Sequence, residues 1–195
     1  MTAITPLEHV HKKGIFGDHH KKNESDLLQI AELKNFIIIQ LVQYKRSKIN
    51  INQVKIDDLQ IPEQSSQVNS NKDTRILWNA PRSWLILSKK ENAIDIIKKN
   101  CNQMDFAITD ISHSRSVIQI KGLQAKEVLK KGSPINFNEF FSNRCARTVF
   151  HGISIVIDLV SEDPDTFNLL TLRSFGESFY HHITDSALEF GYVGV

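Results

Sequence analysis

Between Phe106 and Gly132 the apolar residues stop recurring every second position and start recurring at helical spacing, and the change falls on one residue, Gly122. Phe106 and Ile108, then Ile118 and Ile120, alternate with more polar neighbours, as a half-buried strand requires. Past Gly122, Ala125, Val128 and Leu129 fall at i, i+3 and i+4, while Gln124, Lys126, Glu127, Lys130 and Lys131 take the wet side of a helix. Gly132 offers the left-handed position that closes a helix, and Pro134 cannot extend it. A chain that passes from strand to helix this abruptly is confined to folds in which helices lie on sheets.

The same alternation recurs along the chain. Leu27–Leu33 and Phe36–Tyr44 read as two extended runs separated by Lys34-Asn35, the pattern of a hairpin. Ile51 to Leu59 suggests a short helix, Pro62 to Lys72 a polar loop, and Arg75 to Ser88 two extended pieces bent at Ala80-Pro81. Ser88-Lys-Lys-Glu91 and Ser174-Phe-Gly-Glu177 match the S-x-x-E capping box. The first predicts a helix with Ala93, Ile94, Ile97 and Cys101 on one face. The second predicts a helix carrying Phe175, Phe179, Ile183, Ala187 and Phe190 as far as Gly191. Phe137–Phe141 suggests one further helical turn, and Ala146–Phe150, Ile153–Val160 and Thr166–Arg173 read as strands, the last two joined at Ser161–Asp165. The expected class is α+β, with antiparallel sheets covered on one face by helices. The expected division is a flexible N-terminal arm over 1–26 and one compact domain over 27–195, built of two similar halves, about 27–104 and 105–195.

Composition removes several function classes. A chain of 195 residues buries roughly 70% of its unfolded surface, enough for a core without metal or disulfide. With 24 Lys+Arg against 22 Asp+Glu the net charge is only +2 and the charges are scattered, so no nucleic-acid footprint is present. No apolar run approaches the about 20 residues that span a bilayer. The N-terminal sequence has no secretory pattern, which makes the cytoplasm the expected compartment. Cys101 and Cys145 lack C-x-x-C spacing and are expected as reduced core thiols.

Candidate site residues are few. Asp110 and His113 are three apart, so an extended chain sends them to opposite faces, and strand-edge side chains bonding local amides are expected in place of an acid–base pair. His9-x-His11, His19-His20 and His181-His182 lack the i, i+4 spacing of a helical zinc pair. Trp78 and Trp84 could stack a folate or flavin ring, although a strand tryptophan more commonly serves a core or subunit interface. Gly14, Gly17, Gly122 and Gly132 form no phosphate-binding motif, so no dinucleotide is expected.

The order D-x-S-H at Asp110–His113, I-x-G at Ile120–Gly122 and A-x-x-V-L at Ala125–Leu129 resembles the folate-binding aminomethyltransferase superfamily, the fold of the glycine-cleavage T-protein. Arg75–Leu87, Arg144–Leu159 and Phe167–Gly191 are similar to stretches of the gamma-subunit family of heterotetrameric sarcosine oxidases, a likeness running from about Leu27 to Gly191. The resemblance implies a non-catalytic structural subunit, with no catalytic, cofactor-binding or metal residue of its own. It also implies alpha, beta and delta companions, with FAD, FMN, NAD and tetrahydrofolate held by partner subunits. The implied complex demethylates sarcosine oxidatively to glycine and hydrogen peroxide, transferring one carbon to tetrahydrofolate. The resemblance is to a short family expected to lack the additional domains that close the folate pocket of full-length transferases, and the sequence does not contain the K-G-C-Y-x-G-Q-E motif of the tRNA-modification branch. A stand-alone folate-dependent aminomethyltransferase or demethylase is the rival expectation, and a scaffold for another amine dehydrogenase is the third. The docking surface is expected at Trp78, Trp84, Phe137, Phe140 and Phe141, with the arm ordering on binding.

Overall fold

Gly122 adopts φ +137°, and a Cβ there would meet the backbone of Leu28 at 3.3 Å, so the strand ends where the sequence changes period. The computed structural model describes residues 5–20, 22–34 and 36–195. In chain order the strands and helices are β1 (Gly14–Phe16), β2 (Leu28–Glu32), β3 (Ile37–Gln43), β4 (Lys55–Ile56), β5 (Leu59–Gln60) and β6 (Val68–Ser70). Then follow β7 (Thr74–Ala80), β8 (Ser83–Ser88), α1 (Ala93–Asn100), β9 (Phe106–Asp110), β10 (Arg115–Lys121) and α2 (Ala125–Lys130). The chain continues through β11 (Cys145–Phe150), β12 (Ile153–Glu162), β13 (Asp165–Leu172), α3 (Gly176–Ala187) and β14 (Tyr192–Gly194). Two units result: the described residues of Met1–Lys34, Ser114–Ser142 and Arg147–Val195 in one, those of Asn35–His113 and Asn143–Ala146 in the other. The expected boundary between two sequential halves gives way to this interleaving, because β2 joins β10 and β14, both far later in the chain.

The first unit is built on a sheet ordered β1-β14-β2-β10-β13-β12-β11. The β12–β13 hairpin expected from the sequence is present, opposing Ile157 to Leu169 and Leu159 to Phe167. β10 pairs antiparallel with both β13 and β2, whereas β14 runs parallel to β2. Helices α2 and α3 contact each other and lie on β13, and α3 also covers β10. The inward stripe of α3 is Phe179, Ile183 and Ala187, all fully buried, and Phe179 meets Phe150 edge to face with centroids 5.9 Å apart. Phe137 sits in the expected helical turn, a 3₁₀ turn over Phe137–Glu139, and meets Phe167 edge to face at 6.1 Å.

The N-terminal segment is not the free arm expected from its polar composition. β1 pairs with β14, Leu7 is fully buried, and Gly191 (φ +73°) comes so close to Asp18 that a Cβ would lie 2.5 Å from the Asp18 carbonyl. His11 fixes the segment further, with Nδ1 3.1 Å from Tyr180 Oη and Nε2 2.8 Å from the Val195 carbonyl. Leu7 and Phe16 supply the apolar anchors that the surrounding His and Lys residues concealed; Phe16 stacks on Tyr192 at 5.2 Å. Residues 1–4 and 21 of the expected arm lie outside the described residues.

The second unit holds a fully antiparallel sheet, β6-β7-β8-β3-β9. One face packs a core of Ile39, Leu41, Ile76, Trp84 and Ile86 with Ala93, Ile97 and Cys101 of the α1 segment and Phe106 of β9. Three expectations are corrected here. β2 and β3 do not pair with each other, since β2 joins β10 and β14 while β3 joins β8 and β9; Asn35 of the expected turn lies outside the described residues. Ile51–Leu59 is not a helix: a 3₁₀ turn over Ile51–Gln53 leads into the β4–β5 hairpin, whose turn residues Asp57 and Asp58 take φ 53° and 63°. Neither capping box caps a helix. Ser88 ends β8, its Oγ accepting from Lys90 N–H at 3.2 Å while α1 starts at Ala93, and Ser174 lies within a 3₁₀ turn ahead of α3.

Candidate functional site

The D-x-S-H segment closes on itself. β9 ends at Asp110, and the chain enters a 3₁₀ turn over Ser112–Ser114. Asp110 Oδ1 accepts from Ser112 N–H at 2.9 Å and from Ser112 O–H at 2.6 Å. Ser112 Oγ in turn accepts from Ile38 N–H at 2.9 Å, tying the turn to β3. These bonds hold the Asp110 carboxyl below its ordinary range, with the Ser112 hydroxyl as the largest cause, then its amide. His113 is exposed. Asp110 thus bonds local donors, the behaviour expected of a strand-edge side chain.

Cys101 is buried at the end of α1, and burial pushes its thiol up to about 12, far from a nucleophile's range. Cys145 is also buried, its thiol 3.2 Å from the Trp78 carbonyl. Among the histidines, His19 stacks on His20 at 4.9 Å, His151 lies 5.2 Å from His182, and His181 reaches Glu177 at 3.9 Å. Among the described residues no three His, Cys, Asp or Glu side chains converge as a metal site would require. Trp84 is 3% exposed and donates its Nε1–H to the Pro62 carbonyl at 2.7 Å. Trp78 packs against the same core. Trp84 therefore has no open face on which a pteridine or flavin ring could stack.

The expected docking aromatics are largely core. Trp84, Phe137 and Phe140 are buried, and of the five only Phe141, 55% exposed, presents most of its surface to solvent. Phe175, expected on the buried face of α3, is instead 48% exposed because it precedes the helix. Among the described residues the most exposed large apolar side chains are Met104, Leu123, Phe141 and Phe175, with Ile15, Val149, Leu172, Leu188 and Val195 less so.

Sequence reasoning missed two polar clusters. Gln119, Asn168 and Asp158 stand opposite one another across β10, β13 and β12; the Gln119 amide donates to Asn168 at 3.0 Å, and Asn168 donates to the buried Asp158 at 3.5 Å. Asp158 inside an otherwise apolar strand was the available signal. Arg115 is half-buried, and burial first, then the charge of Arg147, lowers its guanidinium from the ordinary value.

The fold is that of the aminomethyltransferases. Over 88% of this chain and 49% of that one it matches glycine cleavage system aminomethyltransferase T from Bartonella henselae, with a TM-score of 0.62 at 13% identity. The chain belongs to the sarcosine oxidase, gamma subunit family, whose profile matches residues 51–189. Sarcosine oxidase subunit gamma of Corynebacterium sp. (strain U-96) is 29% identical over 120 residues, 60% of this chain; the match spans 58% of that relative's length. A chain of the heterotetrameric sarcosine oxidase from Corynebacterium sp. U-96, solved with pyrrole 2-carboxylate, superposes with a TM-score of 0.80 at 20% identity, covering 97% of both chains. Among the described residues no helix is long and apolar enough to cross a membrane.

Proposed function

We propose that this chain is the non-catalytic gamma subunit of a heterotetrameric sarcosine oxidase. In this reading the complex removes the methyl group of sarcosine, passes its carbon to tetrahydrofolate and its two reducing equivalents to dioxygen, and releases glycine and hydrogen peroxide. FAD, FMN, NAD and tetrahydrofolate belong to the partner subunits, the companions are the alpha, beta and delta chains, and the assembly works in the cytoplasm. The observation that carries the proposal is the gamma-subunit family match over residues 51–189.

The geometry supports an architectural role. Asp110 Oδ1 is bonded inside its own turn, Cys101 is buried as a neutral thiol, and Trp84 is enclosed. A stand-alone folate transferase needs a site that holds a pteridine, and Trp84 cannot stack one. The test uses the chain purified alone. It is expected to show no flavin absorbance, no tetrahydrofolate heat in calorimetry and no sarcosine turnover. A flavin bound at unit stoichiometry, or saturable folate binding, would overturn the proposal.

A further inference from the structure

The β12–β13 hairpin ends in the turn around Asp163 and Pro164, and two separate segments are bolted to the residues that flank this turn. Gly122 N–H donates to the Asp165 carbonyl at 2.9 Å, and Lys126 Nζ lies 3.0 Å from Asp165 Oδ1. On the other strand, Ser142 N–H donates to Glu162 Oε1 at 2.7 Å. Each bolt carries one large apolar side chain into solvent: Leu123, next to Gly122, is 72% exposed, and Phe141, next to Ser142, is 55% exposed. Glu162 and Asp165 face each other across the hairpin, so Leu123 and Phe141 flank one small structure within the first unit.

Leaving these two in water forgoes the burial that a side chain of their size ordinarily gains. Flexibility does not explain the exposure, since hydrogen bonds fix the backbone beside each. Such fixed anchors with a polar rim are how interface hot spots are built. The rim carries more acid than base: Glu162 and Asp163 at the hairpin end and Glu139 on the 3₁₀ turn before Phe141 are exposed, while of the cations beside Leu123 Lys126 is engaged with Asp165 and Lys121 is half-buried at the end of β10. Glu162 stays ionised readily, because the Ser142 amide and then its hydroxyl hold its carboxyl below the ordinary range, with Lys126 assisting.

Resting on the gamma-subunit reading, we infer that Leu123 and Phe141, set in this acidic rim, are the anchors by which the chain docks on a larger flavoprotein subunit. The receiving surface is an apolar pocket edged by lysine or arginine. Electrostatic complementarity of this kind speeds association and makes it sensitive to salt.

The experiment co-expresses the chain with the larger subunits of its oxidase and measures binding to the purified larger subunits, with thermal melts as a folding control. Leu123→Asp and Phe141→Asp are each expected to weaken binding about tenfold or more, while Met104→Asp, at a still more exposed position in the second unit, leaves it unchanged. Asp163→Lys is expected to slow association and flatten its dependence on ionic strength. If either aspartate variant melts early, Leu123→Ser and Phe141→Ser replace it and are expected to weaken binding in the same direction. Wild-type binding with all these variants within twofold of it overturns the anchor assignment and leaves the gamma-subunit reading standing. Failure of the wild-type chain to bind overturns both.

Discussion

The carboxylate of Asp57 is bonded to the ammonium of Lys90, 33 positions later in the chain, and its other oxygen accepts from the Thr74 hydroxyl at 2.7 Å. Thr74 Oγ1 lies in turn 2.9 Å from Ser88 Oγ, and the Asn71 amide donates to the Asp57 backbone carbonyl at 2.9 Å. One side chain at the tip of the β4–β5 turn therefore ties that hairpin to β7, to the end of β8 and to the approach to α1.

This network sets a pH dependence. The Lys90 hydrogen bond, opposed by burial and aided by Thr74 and Asn71, lowers the Asp57 carboxyl from its ordinary 3.8. A depressed folded-state value means that the unfolded chain takes up the proton first. The contribution is therefore complete above about 3.8 and is lost as pH falls through the folded value. Lys90 is raised above 10.5, chiefly by the same bond, so its share is complete below 10.5 and disappears only in stronger alkali. Asp57→Asn is expected to lower Tm at pH 7 by a few degrees and to flatten the acid limb of the Tm–pH curve, measured by calorimetry. An unaltered acid limb would contradict the assignment.

Cys101, pushed up to about 12 by burial, is expected to resist alkylation in the native protein at pH 8 and to react within minutes once urea unfolds the chain. Peptide mapping by mass spectrometry separates it from Cys145. Rapid native labelling at Cys101 would show that the end of α1 opens far more readily than its burial implies.

Phe179 is fully buried under α3 and meets Phe150 edge to face. Phe179→Ala is expected to cost about 3–5 kcal/mol in urea unfolding, the scale of a phenyl-sized cavity. Exposed ion pairs such as Lys130–Glu127 contribute about 1 kcal/mol or less, so Glu127→Ala is the matched control with little effect.

The D-x-S-H turn separates structure from chemistry. Ser112→Ala leaves the Ile38 amide without its acceptor and is expected to destabilise the chain by about 1–3 kcal/mol. His113→Ala, at an exposed position, is expected to leave stability unchanged and turnover of the proposed oxidase complex within a few-fold of wild type. A thousandfold loss of turnover would make His113 a general base.

Local pattern exposed the elements whose signal is local. The β12–β13 hairpin, the break at Gly122 and the stripe of α3 were legible because alternation, turn residues and helical spacing stand next to one another in sequence. Pairing across long separations was not. Leu27–Leu33 and Phe36–Tyr44 look like a hairpin because they are adjacent, yet β2 pairs with β10 and β3 with β8. The β4–β5 turn was hidden because two aspartates adopt left-handed backbone where Asn-Gly is the usual marker. The candidate docking surface was legible only at Phe141. Leu123 falls in a turn with no periodic neighbour, and the exposure of either is decided by tertiary packing.

The most direct measurement is native mass spectrometry of a tagged copy of the chain, purified after co-expression with the other subunits of the proposed oxidase. The expected result is one complex in which this 22.3 kDa chain accompanies larger, flavin-bearing subunits and the sample releases hydrogen peroxide on addition of sarcosine. A chain recovered only at its own mass, with the flavoprotein subunits assembled and active without it, would contradict the account.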